Sequence, residues 1–181
     1  MEAGGEAVVS RELGRGGQGI VYLVRYNGRE YALKWYFISR IKNPEAFRNN
    51  LRKNIEDGAP EGGKQFIWPL FLTKQKANGA FGYLMRLAPS GYASFTDIYN
   101  GYLWEKPVAK VKFASLDVML TAAINIVKAF RALHLSGKSY QDLNDGGFFI
   151  DTRTGDVLVC DCDNVAADGD NFGIGGMPGF M

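Results

Sequence analysis

The sequence has few of the residues that build metal centres and acyl-transfer sites. Its 181 residues include one histidine and two cysteines, and no further cysteine exists to complete a zinc site with Cys160 and Cys162. We therefore expect two buried thiols in a reducing compartment. His134 lies at the end of a predicted helix, where packing or capping is its expected role and catalysis is the alternative.

Long hydrophobic runs and strong net charge are also missing. No apolar run approaches the roughly 20 residues that a membrane helix needs, and residues 1–6 lack the positive charges of a signal peptide. The formal net charge of +2 gives no reason to expect nucleic acid or an anionic membrane surface as a partner. We expect a cytoplasmic protein with neither of these partners.

A glycine-rich turn over residues 13–21, LGRGGQGIV, is the feature around which the chain is arranged. Glycine has no Cβ and tolerates positive φ, so backbone N–H groups in such a turn can come close to phosphate oxygens. The spacing of the glycines also fits a dinucleotide-binding fold, in which the turn opens a helix. Here residues 20–24, IVYLV, follow, so the pattern favours a turn between two strands.

The first half of the chain is rich in predicted strands. They span residues 7–13, 20–26, 31–36, 66–73 and 81–87. Asn27-Gly28 and Asn78-Gly79 are hairpin signals. Asn43, Pro44 and Glu45 are an N-cap, a first-turn proline and a first-turn acid, so a helix is predicted from here to about Gly58. Together these elements predict a five-stranded antiparallel sheet with one helix.

The second half is more helical. A short helix over residues 95–102 is one interpretation of a turn-rich stretch, and apolar residues at steps of three and four predict an amphipathic helix from Ser115 to Gly137. Two strands, 148–150 and 157–160, then form a hairpin flanked by two acidic clusters. Carboxylates without a partner base or a Cys/His set favour Mg²⁺ and phosphate chemistry over acyl transfer.

This order of features resembles the eukaryotic-like protein kinases over nearly the whole chain. Residues 13–21 resemble their glycine-rich loop, 31–34 (YALK) their V-A-I-K strand, 140–143 (YQDL) their H-R-D-L loop, and 161–163 (DCD) their D-F-G. A bacterial branch is suggested by Trp68-Pro69, Tyr83-Leu84-Met85 and Asp161-x-Asp163-Asn164. The resemblance implies an α+β, two-lobed fold with an N-lobe over 1–87, and a hinge and incomplete helical C-lobe over 88–181.

The resemblance also implies ATP and Mg²⁺ as cofactors and assigns residues to them. The ATP-binding residues would be Leu13, Gly14, Gly16, Gly17, Gly19, Val21, Ala32, Lys34, Met85, Arg86, Leu87 and Ala88. Among these, the glycines would cover the phosphates, Lys34 would hold the α- and β-phosphates, and 86–88 would read the adenine edge. Asp142 would orient the substrate hydroxyl and accept its proton, and Asp161 would bind Mg²⁺.

Three positions depart from the family pattern. Asn50 stands where the helix should offer a glutamate to the strand lysine, and Gly147 stands where the catalytic loop should offer a second metal ligand. Asn144 or Asp163 could replace that ligand, or the site could hold one metal, and Asp163 could instead cap the following turn. Gln141 replaces the arginine that receives a phosphorylated activation loop.

Residues 175–181 resemble the run before the family's A-P-E motif, so we expect a fragment of a longer protein. The apolar face of the helix from Leu116 to Leu133 would then lack cover, which predicts self-association through the C-lobe or a disordered C-terminal tail. The leading function is ATP-dependent phosphoryl transfer to Ser/Thr hydroxyls of an unidentified protein substrate by the intact parent. The alternatives are a nucleotide-binding pseudokinase acting as scaffold or regulator, and a small-molecule kinase.

Overall fold

The computed structural model describes residues 1–98 and 111–170, and these fall into two compact units. The first unit contains Met1–Ala59 and Trp68–Leu87, and the second contains Pro60–Ile67 and Ala88–Gly169. Residues 60–67 belong to the second unit because Phe66 forms a parallel bridge with Val159. The predictions for residues 99–102 and for the C-terminal run 175–181, including its disorder, lie outside the described residues.

The first unit is built on one antiparallel sheet. Its strands are β1 (Val8–Arg15), β2 (Gly19–Tyr26), β3 (Arg29–Tyr36), β4 (Pro69–Leu72) and β5 (Gly82–Met85). They pair in the order β1-β2-β3-β5-β4. Asn27 and Gly28 both have positive φ, 48° and 75°, as a two-residue hairpin turn requires. The predicted five-stranded sheet is confirmed.

Strand alternation gives this sheet two different faces. One face carries a buried cluster of Val24, Tyr26, Leu33 and Leu84, against which further aromatic rings pack. Each fully buried side chain of this size stabilises the fold by about 1.5–3 kcal/mol. The opposite face carries the alternate residues of β3, which include the buried Lys34.

Helix α1 (Pro44–Asp57) packs on that opposite face. The Asn43 side chain accepts a hydrogen bond from the Ala46 N–H at 3.2 Å, and Gly58 ends the helix with a φ of 76°. The predicted caps are therefore confirmed. The ring of Phe47 on the buried side of α1 meets the Tyr36 ring edge to face at 5.3 Å, which fixes that side of the helix against β3.

The N-terminal segment is tied to α1 by charge. The Glu2 carboxylate accepts hydrogen bonds from Arg48 and from Arg52, the latter at 3.1 Å. Burial raises the pKa of Glu2, but the hydrogen bonds and positive charges of Arg52 and Arg48 outweigh it and hold that pKa below its usual value. Arg48 also donates to the Thr73 carbonyl oxygen at 3.1 Å, so one arginine joins the N-terminus, α1 and the loop after β4.

The second unit combines one long helix with short strands. Its elements are β6 (Ala93–Ser94), a helical stretch at 95–98, α2 (Leu116–Leu135), β7 (Lys138–Tyr140), β8 (Phe148–Ile150), β9 (Val157–Val159) and β10 (Val165–Ala167). β6, β8 and β9 form one sheet, and β7 pairs with β10. The Ser115 hydroxyl accepts a hydrogen bond from the Val118 N–H at 3.3 Å, which caps α2 as the sequence predicts.

One side of α2 is buried and the other is apolar and exposed. Ala122, Ala129 and Leu133 are buried. The exposed side includes Leu116, Leu120, Ile124 and Val127, whose exposed fractions are 64%, 52%, 54% and 66%. The helix begins with an acidic residue, Asp117, and carries Lys128 and Arg131 near its end. Its exposed face is thus apolar in the middle and oppositely charged at its two ends.

Helix α2 also corrects one expectation. Eighteen consecutive residues of this 20-residue helix have a mean hydropathy of 1.4, and by length and composition alone the helix could cross a membrane. The expectation that no apolar segment approaches this length is therefore wrong, because isolated polar residues such as Asn125 interrupt the run without lowering its average enough. Length and composition are weak evidence for a membrane-spanning helix, since core helices of soluble proteins pass the same test.

Candidate functional site

The glycine turn joins β1 to β2. The Gly16 N–H donates to the Gly19 carbonyl oxygen at 2.9 Å, which closes the turn. A Cβ on Gly19 would lie 2.3 Å from the Trp35 carbonyl oxygen, so the sheet itself requires glycine there. Gly14, Gly16 and Gly17 are exposed and have open space around them. Their backbone is accessible to an anion, which is what the sequence predicts for phosphate binding.

Lys34 occupies the sheet face opposite the aromatic cluster. It is 7% exposed, and its Nζ lies 5.7 Å from the centroid of the Tyr36 ring. Val21 on β2 stands directly across from Lys34, and Met85 on β5 stands across from Ala32. Because paired residues and alternate residues share a face, Val21, Ala32, Lys34 and Met85 lie together. The sheet therefore brings these four predicted site residues into one patch.

The remaining predicted adenine-site residues lie at strand ends. Leu13 stands where the β1–β2 register shifts, and its side chain is exposed. Arg86, Leu87 and Ala88 follow β5 directly and are half-buried. Their backbone groups belong to no strand, so they suit the hinge role that the resemblance implies.

Asn50 lies on the buried side of α1, three residues after Phe47. It is buried, whereas Glu45 and Glu56 on the same helix are exposed. The prediction that Asn50 occupies the family's glutamate position thus concerns a buried residue of α1. A neutral amide provides no negative charge at that position.

In the second unit, the loop around Asp142 is shaped by Asn144. The Asn144 Nδ2 donates to the Asp142 carbonyl oxygen at 2.9 Å, and its Oδ1 accepts from the Gly146 N–H at 2.9 Å. The nitrogen and the oxygen of the Asn144 amide thus both stabilise the loop after Asp142 and the 3-10 helix Asp145–Gly147. Asn144 remains a predicted metal ligand, but its amide already has this structural role.

Gly147 and Tyr140 tie this loop to the end of β9. The Gly147 carbonyl oxygen accepts from the Cys160 N–H at 2.8 Å, and the Tyr140 hydroxyl donates to the Cys160 carbonyl oxygen at 2.8 Å. Burial raises the pKa of Tyr140 well above its usual value, and the charges of Asp161 and Asp163 raise it further. The hydroxyl therefore stays protonated as a donor. Sequence reasoning missed this role, although a tyrosine at the family's histidine position was a signal.

The acidic turn after β9 lies beside the same loop. Asp161 has left-handed backbone angles, φ 48° and ψ 35°, a conformation that costs a non-glycine residue about 1–3 kcal/mol. The Asn164 N–H donates to the Asp161 carbonyl oxygen at 3.1 Å, and the Gln141 N–H donates to the Asn164 carbonyl oxygen at 3.1 Å. Asn164 therefore connects the Asp161 turn to the residue next to Asp142.

The three polar side chains of this turn differ in burial. Asp161 is half-buried, Asp163 is 0% exposed and Asn164 is 2% exposed. The Oδ1 of Asn164 has no hydrogen-bond partner, which costs a buried amide about 1–3 kcal/mol. Among residues 1–98 and 111–170, no cluster of three His, Cys, Asp or Glu side chains could hold a metal. A cation here would need amide or phosphate oxygens besides the carboxylates, and the unpaired amide oxygen fits that need.

Solved structures identify this architecture. Two crystal structures of the Mycobacterium tuberculosis PknI kinase domain, a single and a double mutant, are each 20% identical to the chain and match 87% of it with TM-scores of 0.61 and 0.62. The fold is that of a protein kinase domain. The chain spans 59% and 60% of the length of these two kinase structures. No protein-family model and no curated protein matches the chain.

The kinase fold confirms the predicted α+β fold class and the resemblance on which the site assignments depend. Within the first unit it collects Val21, Ala32, Lys34 and Met85. Within the second it joins the loop of Asp142 to the turn of Asp161 through backbone hydrogen bonds. The roles of the individual residues stay predictions.

Proposed function

We propose that the chain is the nucleotide- and metal-binding part of a protein kinase whose intact parent transfers a phosphoryl group from ATP to Ser or Thr hydroxyls of a protein substrate. One observation carries the proposal. The backbone bonds of Asn164 hold the Asp142 loop and the Asp161 turn side by side, and this pairing suits an acceptor hydroxyl next to a metal-bound phosphate. The kinase fold supports phosphoryl transfer as the reaction class.

Each residue then has a chemical task. The amides of the glycine turn and the Lys34 ammonium bind the nucleotide phosphates, while Val21, Ala32 and Met85 contact the adenine. Asp142 accepts the hydroxyl proton as the acceptor oxygen bonds to the γ-phosphorus and the bond to the β-phosphate oxygen breaks, releasing ADP. Mg²⁺, held by Asp161, would neutralise charge on the phosphates when bound.

A nucleotide-binding pseudokinase is the second candidate. Asn50 is a buried neutral amide where the kinase pattern has a glutamate, and Gly147 has no side chain to bind a metal. Both changes weaken catalysis more than nucleotide binding, because they affect the alignment and charge of the phosphates rather than the adenine contacts.

Thermal melts with and without Mg²⁺-ATP test the binding step. A ligand at a hundred times its dissociation constant stabilises the native state by about 2.7 kcal/mol, which corresponds to about 5–10 °C for a chain of this size. Lys34→Met should remove most of this shift, whereas Lys53→Met, at an exposed position on α1, should retain it. No shift at millimolar ATP would contradict an intact site.

Phosphate transfer by the parent protein separates the two candidates. A kinase should label a Ser/Thr peptide library from γ-labelled ATP, and Asp142→Asn should abolish labelling while the thermal shift remains. Nucleotide binding without any labelling, in the parent and in its Asp142→Asn variant alike, would favour the pseudokinase.

A further inference from the structure

We propose that Asn164 supplies the amide oxygen ligand for the divalent cation that the catalytic loop lacks at Gly147. The inference rests on the proposed function, because the cation in question is the one bound with the nucleotide phosphates. Its starting point is the Oδ1 of Asn164, which is buried without a hydrogen-bond partner. Nearly all buried polar atoms in native proteins are paired, and a bound ion is one recognised partner for an atom that has no other.

The position of Asn164 supports a metal role. Its N–H donates to the Asp161 carbonyl oxygen, and its own carbonyl oxygen accepts from the Gln141 N–H. It therefore lies in the same turn as the predicted metal carboxylate and next to the loop of Asp142. The turn also contains the left-handed backbone of Asp161. Strained backbone of this kind clusters at active sites and ligand-binding sites.

The other proposed replacements for the missing ligand are less suitable. The Asn144 amide is hydrogen-bonded at both ends within its own loop. Asp163 is completely buried and, like Asp161, already takes part in an interaction. Asn164 differs because its oxygen is unpaired. With Asp161 it offers one carboxylate and one neutral amide oxygen, which are hard ligands of the kind that Mg²⁺ and Mn²⁺ accept alongside phosphate oxygens and water.

The test measures Mn²⁺ binding to the protein–ADP complex by electron paramagnetic resonance. Asn164→Leu removes the oxygen while keeping the branched shape of the side chain, and we expect it to weaken Mn²⁺ binding about tenfold or more while ADP binding in EDTA is unchanged. Because an unpaired buried oxygen is removed, the metal-free melting temperature should stay the same or rise. Asn164→Asp, which keeps an oxygen at this position, should retain Mn²⁺ binding and enlarge the Mn²⁺-dependent rise in melting temperature.

Asp163→Asn is the matched comparison. If Asp163 is the second ligand, this variant loses Mn²⁺ affinity and Asn164→Leu does not, which overturns the proposal. Equal Mn²⁺ affinity in wild type and Asn164→Leu also overturns it. If Asn164→Leu does not fold, the Asn164→Asp variant tests the proposal instead. A folded aspartate variant that has lost Mn²⁺ binding would contradict an oxygen ligand at position 164. A wild-type chain that binds neither ADP nor Mn²⁺ would instead refute the proposed function.

Discussion

Gly147 stands where the kinase resemblance implies a metal ligand, and the structure predicts that a larger residue there destabilises the fold. A Cβ on Gly147 would lie 3.0 Å from the Tyr140 hydroxyl oxygen. The backbone cannot easily yield, because the Gly147 N–H donates to the Asn144 carbonyl oxygen at 3.1 Å and the Gly147 carbonyl oxygen accepts from Cys160. The hydroxyl cannot easily yield either, since it donates to the Cys160 carbonyl oxygen.

We therefore expect Gly147→Ala to cost about 1–3 kcal/mol through overpacking, offset by about 0.4–1 kcal/mol because alanine restricts the unfolded chain. The net loss of about 1–2 kcal/mol corresponds to a fall of about 2–8 °C in melting temperature. Gly17→Ala is the matched control, because Gly17 has open space and no positive φ. That control should be neutral or slightly stabilising.

A double-mutant cycle with Tyr140→Phe tests the proposed cause. Tyr140→Phe alone should destabilise by about 1–3 kcal/mol, because the Cys160 carbonyl oxygen loses a donor in a buried setting. In that background Gly147→Ala should cost less, since the hydroxyl that it meets is gone, giving a coupling of about 1 kcal/mol. Urea denaturation followed by circular dichroism measures all four stabilities. Additive effects within about 0.5 kcal/mol would refute the contact as the cause.

Two further predictions concern the ion pairs of Glu2 and the exposed apolar face of α2. Glu2→Gln should lower the melting temperature at pH 7 by about 1–3 °C. Because the pKa of Glu2 is lowered in the folded protein, the difference from wild type should shrink as pH falls below the ordinary glutamate pKa of about 4.3 and vanish below the lower pKa of the folded protein. The exposed Glu6→Gln is its control, and an equal loss in both variants would contradict the pairing. We also propose that α2 binds a second copy of the chain in antiparallel fashion, since this pairing sets its acidic end against its basic end. Light scattering should show a dimer that Leu120→Glu or Val127→Glu dissociates, and a monomeric wild type at high concentration would contradict it.

Local signals predicted most of the first unit because they depend on neighbours in sequence. Asn43 and Gly58 cap α1 as expected, and the Asn27-Gly28 turn forms a hairpin. The predicted ends of strands were less accurate where residues distant in sequence provide competing hydrogen-bond partners. The strand predicted over 66–73 is only Pro69–Leu72, because Phe66 bridges Val159 and the Ile67 N–H donates to the Val159 carbonyl oxygen instead.

The second unit was harder to predict because its strands are two or three residues long. β6, β7 and β10 were not predicted, since segments this short carry no periodicity and form only where a partner strand supplies hydrogen bonds. The same limit applied to the site. Motif spacing predicts roles for Lys34, Asp142 and Asp161, but the burial of Asn164 and the Tyr140 bond to Cys160 depend on tertiary contacts that no local pattern encodes.

Asn50 and Gly147 depart from the kinase pattern in different physical properties. At Asn50 the change is one of charge on a buried helix face. At Gly147 the change is one of volume, because Tyr140 and two backbone hydrogen bonds occupy the surroundings. Restoring an asparagine at 147 alone would therefore disturb the loop of Asp142 before it could bind a metal. If the chain binds a cation with its nucleotide, the ligands must come from side chains already placed around that loop, and the turn of Asp161 and Asn164 is where the described structure offers an unpaired oxygen.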